Sequence, residues 1–229
     1  MPKSSRSSSR SARPGQNIRN LALQRRLRAI QCFIAAATVV ASPPLLLKAL
    51  AEVINQPVQV PASLTLSLVV IALGLVAGGV YQWKRANHAD QGAQGEEKVA
   101  SELSCLQDSG WTIEHGIKVP RWGDVDHVCR SPQGRIYAID TKSHKGIVFR
   151  NPNGTLERKI GGKIMAFEKD FLTAVKGQAT QIKQQKRVTF VTPILVFSEA
   201  KVNVGSDPRV QGVYVVERAE LVRWLQKLG

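Results

Sequence analysis

Acidic residues and cysteines are the scarce components of this 229-residue chain. Seventeen Asp and Glu stand against 32 Lys and Arg, a formal charge of +15, which favours polyanionic partners such as nucleic acid or anionic lipid. The three cysteines, Cys32, Cys105 and Cys129, cannot close a disulfide framework. No Cys-x-x-Cys or His/Cys cluster offers four zinc ligands. A disulfide-stapled secreted scaffold and a structural zinc module are thereby disfavoured. The length suits one ordinary domain plus a smaller element and leaves no room for two large domains.

The charge is uneven. Residues 1–28 hold eight basic side chains and no acid, and residues 1–20 are rich in Ser and Arg with little to bury. Such a segment cannot offset its ordering entropy, so 1–28 is expected to be a disordered basic tail. Two uncharged apolar runs follow, Ala29–Leu47 and Ala62–Tyr81, each close to the ~20 residues that span a hydrocarbon core as helix. Residues 29–83 are therefore read as a transmembrane hairpin with a short connection. The first run contains Pro43-Pro44 and, behind its basic leader, also reads as a signal peptide cut near Ala41-Ser42. Lys and Arg collect on the cytoplasmic side. The basic leader and Lys84-Arg85 thus place both ends there, at the inner (cytoplasmic) membrane, with Tyr81 and Trp83 at the interface. Gly74 and Gly78 form a small-xxx-small pair suited to close approach of the two helices.

Residues 84–90 are expected to be a linker, within a polar, Gly-containing stretch that reaches Gly95, and 91–229 an α/β domain. Val99, Leu103 and Leu106 mark a helix from Glu96. Trp111–Val119, Val125–Cys129 and Ile136–Asp140 read as strands joined by tight turns, and so as antiparallel neighbours. Gly146–Ile160, with Asn151-Pro152-Asn153-Gly154, suggests a hairpin outside the main sheet. Ile164, Phe167, Phe171, Val175, Ala179 and Ile182 recur at intervals of three and four, predicting one long helix up to Arg187. Strands Ile194–Phe197 and Val213–Val216 and a helix Ala219–Leu228 complete the order.

The chemistry is concentrated in a short stretch. If their strands are neighbours, Asp126 and Asp140 both reach one end of the sheet. Two converging carboxylates make a hard-oxygen site suited to Mg²⁺. Lys142, two residues after Asp140, points to the same face. There a cation orients an attacking water or screens charge on a phosphorane-like transition state. Taken alone, Asp-x-Lys also fits any solvated strand edge. His127 falls on the opposite face from Asp126, a structural or exposed position, and Cys129 reads as a small buried apolar residue.

The ordered set Gly92-Ala93-Gln94-Gly95-Glu96, Gly123-Asp124-Val125-Asp126-His127-Val128, Ile139-Asp140-Thr141-Lys142, Gly146 and Gln178-Ala179 resembles the nuclease-related domain, a branch of the PD-(D/E)XK nuclease superfamily. The resemblance covers about Gln91 to Leu228. It implies a restriction-endonuclease-like core, a mixed central sheet flanked by helices, with a metal site at one sheet end. It also implies catalytic roles for Glu96, Asp126, Asp140, Lys142 and Gln178, with Glu97 as the competitor of Glu96. Mg²⁺ or Mn²⁺ would be held by Asp126, Asp140 and Glu96. Without the resemblance, Glu96 is a first-turn acid favoured by the helix dipole and Gln178 a polar helix edge.

Lys169, Lys176 and Lys183 are spaced by seven, which on one helix lines them up for a phosphate backbone or leaves them as a solvated face. Three functions follow from these readings. The first is a membrane-anchored metal-dependent nuclease acting on DNA, or on RNA. The second is an inactive nucleic-acid tether at the lipid bilayer. In the third the basic leader is a lipid anchor with no nucleic-acid role.

Overall fold

The structure, a computed structural model, describes residues 14–58 and 61–229. It divides into two units, residues 18–90 and residues 91–229 with residues 14–17. The expected disorder of residues 1–13 lies outside the described residues.

Helix α1 runs from Gln16 to Ile54, so residues 16–28 are helical and the expected disorder of the whole basic tail is corrected there. The charge-based reading overlooked the apolar side of this segment: Ala22 and Ala29 are buried, at a spacing of seven. Helix α2 runs from Ala62 to Ser104 and absorbs the expected linker 84–90. In the first unit the two helices run antiparallel through small residues. Ala22, Ala29 and Ala36 on α1 and Ala72 and Ala86 on α2 are buried, and a Cβ on Gly79 would stand 2.5 Å from the Phe33 ring. Positions 72, 79 and 86 repeat every seven residues, the period that keeps one seam facing a partner helix. Gly74 and Gly78, expected at this seam, have open space where a Cβ would go. Arg26 pairs with Asp90 and lies over Trp83, and Arg25 donates to the Arg85 carbonyl at 3.1 Å. Both helices are long and apolar enough to cross a membrane, by length and composition. Their apolar windows are only 6% and 11% buried, unlike the core helix of a soluble protein.

The second unit is a mixed α/β structure. Its strands are β1 (Thr112–Val119), β2 (Gly123–Arg130), β3 (Ile136–Arg150), β4 (Leu156–Ile160), β5 (Lys163–Ala166), β6 (Thr192–Asn203), β7 (Arg209–Val210) and β8 (Val213–Glu217). The sheet order is β1-β2-β3-β6-β8-β7, with β4 on β3 and β5 on β4. β1, β2 and β3 are antiparallel neighbours, as their tight turns require, while β6 runs parallel to β3 and β8 parallel to β6.

β3 is much longer than the expected Ile136–Asp140. Its first half pairs with β2, its second half with β4, and β6 runs beside both halves across a register shift between Lys142 and Lys145. The hairpin at Asn151–Gly154 is present, but its first strand belongs to the main sheet. The expected long helix is also shorter. Helix α3 spans Phe171–Lys186, with the Asp170 side chain accepting from the Thr173 N–H at 3.0 Å as N-cap. Ile164 lies instead on β5, because Gly161-Gly162 turn the chain back and β4 supplies a partner.

Alternation along the strands builds two cores. Tyr137, Ile139, Ile194 and Val196 face Val99 and Leu103 of α2 and Leu221 and Leu225 of helix α4 (Arg218–Leu228). On the other face, Leu195 and Phe197 meet Leu172 and Val175 of α3, while Ala138 and Val128 meet Ala179 and Ile182. α2 approaches the sheet closely at Gly95, where a Cβ would stand 2.6 Å from Ser198 Oγ and 3.2 Å from Ser143 Cβ. In an open helix Gly→Ala gains about 1 kcal/mol. Here Gly95→Ala is expected to lower stability by about 1–3 kcal/mol, the usual cost of overpacking, measured as the thermal midpoint of the detergent-solubilised chain. A raised midpoint would refute the close approach.

Candidate active site

The β2–β3 ladder ends at the pair His127 and Ile139. One residue further on, where Asp126 and Asp140 stand, the strands stop pairing. A side chain replaces the missing backbone acceptor: Asp126 Oδ2 accepts from the Thr141 N–H at 2.6 Å. Asp140 is 5% exposed and its Oδ2 forms an ion pair with Lys142 Nζ, so the two residues share a face as their spacing requires. The register shift that follows Lys142 separates this triplet from the outer half of β3.

Two helices, one on each face of the sheet, complete the group. From α3, Gln178 is 3% exposed, and its Nε2 lies 3.2 Å from Asp140 Oδ1, 3.0 Å from the Asp124 carbonyl and 3.4 Å from the Trp122 carbonyl. Its Oε1 is buried without a hydrogen-bond partner. From α2, Glu96 accepts from the Gly15 N–H at 3.1 Å and shares a hydrogen bond with Asp126. The structure therefore brings Glu96, Asp126, Asp140, Lys142 and Gln178 together. Among the described residues, no group of three or more His, Cys, Asp or Glu is drawn into a finished metal cage. Part of the donor capacity is spent on Thr141 and Lys142.

Three carboxyls around one lysine leave an excess of negative charge in a partly dry place. Burial pushes Glu96 up to about 7, reinforced by Asp140 and opposed by the Gly15 N–H and Lys142. Asp126 is raised well above the usual carboxylate range, first by burial and then by Asp140 and Glu96. For Lys142 burial acts downward, but Asp140, Asp126 and Glu96 outweigh it and hold the ammonium above its ordinary range. The lysine is therefore a fixed cation.

Other expected residues fall elsewhere. Lys169 precedes the N-cap of α3, so Lys169, Lys176 and Lys183 do not form one line on a helix, and that expectation is corrected. Lys176 reaches Gln211 Oε1 at 3.5 Å, while Lys183 is exposed. His127 is fully buried, its Nδ1 lies 2.8 Å from His115 Nδ1, and burial lowers it to about 3. It is a neutral structural residue. Burial likewise pushes the Cys129 thiol up to about 12, and it is inert packing.

Sequence reasoning placed the β1–β2 turn but gave its residues no role. Arg121 there has φ +68° and is exposed, and Trp122, 39% exposed, lies against Gly177, whose absent Cβ would stand 2.3 Å from the ring. The turn is thus clamped on α3 beside Gln178. An Arg-Trp pair between Pro120 and Gly123 was the available signal.

The family model of the nuclease-related domain matches residues 91–198. This span runs from the last turns of α2 to the middle of β6 and contains all five clustered residues. Residues 91–198 are thus similar to a nuclease-related domain, and the α/β unit that contains them has a nuclease-like fold. β7 and β8 lie beyond the matched span but complete the same sheet, and α4 packs on it. No curated protein and no solved structure matches the chain.

The raised carboxyls make stability depend on pH. Between the ordinary 4.5 of Glu96 and its folded value of about 7, the folded chain binds more protons than the unfolded one. Stability from this group is therefore present below 4.5 and is lost as pH rises through about 7. Thermal melts in chelator should show the midpoint falling across that window. Glu96→Gln should flatten the fall and raise stability at pH 8 by an amount on the order of 1–2 kcal/mol. A midpoint independent of pH across this range would contradict the coupled carboxyls.

Proposed function

We propose that this chain is a membrane-anchored, divalent-metal-dependent nuclease that hydrolyses phosphodiester bonds in DNA at the cytoplasmic membrane face. The observation that carries the reading is the Asp140–Lys142 ion pair within β3, not at the expected sheet end but where the β2 ladder stops, with Asp126 across the strand gap and Glu96 and Gln178 delivered from helices on opposite faces.

The residues fit a hard divalent cation. Their donors are carboxylate oxygens, their formal charge exceeds what Lys142 offsets, and the buried Gln178 Oε1 lacks a partner that a bound water would supply. Asp126 and Asp140 would hold Mg²⁺ or Mn²⁺, with Glu96 binding directly or through water. When bound, the ion supplies Lewis acidity toward a phosphoryl oxygen and acidifies water. Lys142 keeps its proton, orients the attacking water and screens the negative charge that grows on phosphorus. Gln178 positions the Asp140 carboxylate through its Nε2 contact and ties it to the β1–β2 turn. That turn presents Trp122 and Arg121, an aromatic face and a cation suited to a nucleotide strand.

On this reading Asp140→Ala abolishes cleavage and weakens Mg²⁺ binding, while metal-free stability is unchanged or slightly raised because a carboxyl repulsion is removed. Lys142→Ala loses cleavage, by about 10²-fold or more, with Mg²⁺ binding largely kept. Calorimetric Mg²⁺ titration beside a cleavage assay on linear, circular and branched DNA tests both. A wild-type chain that binds DNA but neither takes up Mg²⁺ nor cuts is a tether, and the nuclease reading fails. For the membrane arrangement, reporter fusions at Gln56 and after Arg85 should report opposite compartments, with the Arg85 fusion cytoplasmic. A periplasmic signal after Arg85 would refute the hairpin.

A further inference from the structure

A large cleft in the described α/β unit lies away from the carboxyl cluster. It has a volume of about 760 Å³ and opens where β3 and β6 begin, between the end of α3, the β7–β8 turn and the end of α4. Tyr137 lines it, and Tyr137 precedes Asp140 by three residues, about 10 Å along a strand, on the opposite face of the sheet. The cleft is therefore separate from the candidate active site.

Its lining has one sign of charge. Arg135, Arg187 and Arg209 border it, and none of the lining residues is acidic. Arg209 is taken up by Asp207, and Arg135 donates to the Leu228 carbonyl. Among the described residues, Arg187 has no ion-pair or hydrogen-bond partner for its guanidinium. Its backbone is also unusual: it is the C-cap of α3, at φ +53°, a left-handed position where glycine costs least. An unpaired arginine thus stands at a position that local structure would assign to glycine.

The same cleft holds aromatic surface. Phe190 is 68% exposed, a position that gains nothing for folding, and Tyr214 stands half-buried in the same lining. The Tyr137 hydroxyl is buried with no hydrogen-bond partner of ordinary geometry, its charged neighbour being Arg135. An exposed ring, an unpaired guanidinium and an orphaned hydroxyl in a mostly apolar cleft of this size form the composition of a small-ligand site. The ligand they fit has a flat aromatic part to stack on Phe190 and an anionic part for Arg187.

We propose that this cleft binds a phosphorylated nucleoside, with the base against Phe190, the phosphate on Arg187 and Arg135, and the Tyr137 hydroxyl satisfied by the sugar or base. Two sources share this chemistry, a free nucleotide and the unstacked terminal nucleotide of a strand.

The test is calorimetric titration of the full detergent-solubilised chain, in chelator so that nothing is cut. The probes are adenosine monophosphate, adenosine, inorganic phosphate and a 5′-phosphorylated single-stranded oligoadenylate. Adenosine monophosphate should bind at least tenfold more tightly than adenosine or phosphate. Phe190→Ala and Arg187→Gly should each weaken it at least tenfold, whereas Asp140→Ala should leave it unchanged. Arg187→Gly relieves the left-handed backbone and should melt no lower than wild type, so its loss of binding cannot be ascribed to unfolding. Equal affinity for mononucleotide and oligonucleotide supports the free-nucleotide source, and tighter oligonucleotide binding that Phe190→Ala removes supports the strand terminus. Absence of binding, phosphate binding as tightly as the nucleotide, or wild-type affinity in both cleft variants would overturn the proposal. A chain that binds nucleotide in the cleft but cuts nothing would leave the cleft standing and remove the nuclease reading.

Discussion

The carboxyl excess at the end of the β2–β3 ladder is the constraint around which the α/β unit is arranged. Asp126, Asp140 and Glu96 crowd one lysine in a partly buried place, and like charges at that range raise one another's proton affinity unless something positive intervenes. Three features offset it locally: the Lys142 ammonium, the Thr141 N–H on Asp126 and the Gly15 N–H on Glu96. None of them neutralises the group, and protons are drawn in to do the rest. A fold selected for stability alone would not place three acids there, because replacing one by an apolar residue removes the repulsion.

Bringing acids from separate elements to one point requires close backbone approach, and glycine provides it twice. Gly95 lets α2 press against Ser143 of β3 and Ser198 of β6, one residue before Glu96. Gly177 lets Trp122 lie on α3 one residue before Gln178. In each case a side chain at the glycine would push the following polar residue away from Asp140. The clustered polar residues are thus positioned by absent side chains next to them, a packing effect that acts over tenths of an ångström.

Much of this was legible in the sequence, and the failures have physical reasons. The turn chemistry gave β1, β2, the start of β3 and their antiparallel order, and the period-two rule placed Lys142 on the face of Asp140. Helix α2 was misread between residues 84 and 95 because polar residues and two glycines look like a linker. What holds it helical is partly tertiary: Ala86 and Ala93 are buried and Gly95 sits against the sheet. Ile164 and Phe167 fit a helical period equally well as part of α3. Only the Asp170 cap and the pairing of β5 with β4 decide against it, and with them the lysine line dissolves. Glu96 and Gln178 were visible through resemblance alone, since a lone Glu or Gln on a helix carries no signal of what it will face. The Gly74–Gly78 motif misled because spacing shows that close approach is possible, not which seam is used. The seam follows the sevenfold repeat of Ala72, Gly79 and Ala86 instead.

β3 shows how one strand supports two environments. Its odd residues Tyr137 and Ile139 enter the core formed by α2 and α4, and its even residues face α3. Along the even face the environment changes from Ala138, fully buried, through Asp140, 5% exposed, to the half-buried Lys142. Asp140 thus sits at the boundary of the core: one step inward it would be an uncompensated buried charge, and one step outward it would be a solvated acid. The ladder to β2 ends at this boundary, and the Thr141 N–H freed there bonds to Asp126 in place of a strand. At the start of β3 the same alternation carries the Tyr137 hydroxyl into a cleft of opposite charge. The arginines stand at the start of the strand and the acids further along it, so an anionic ligand in the cleft is kept apart from the carboxyl cluster by the strand between them.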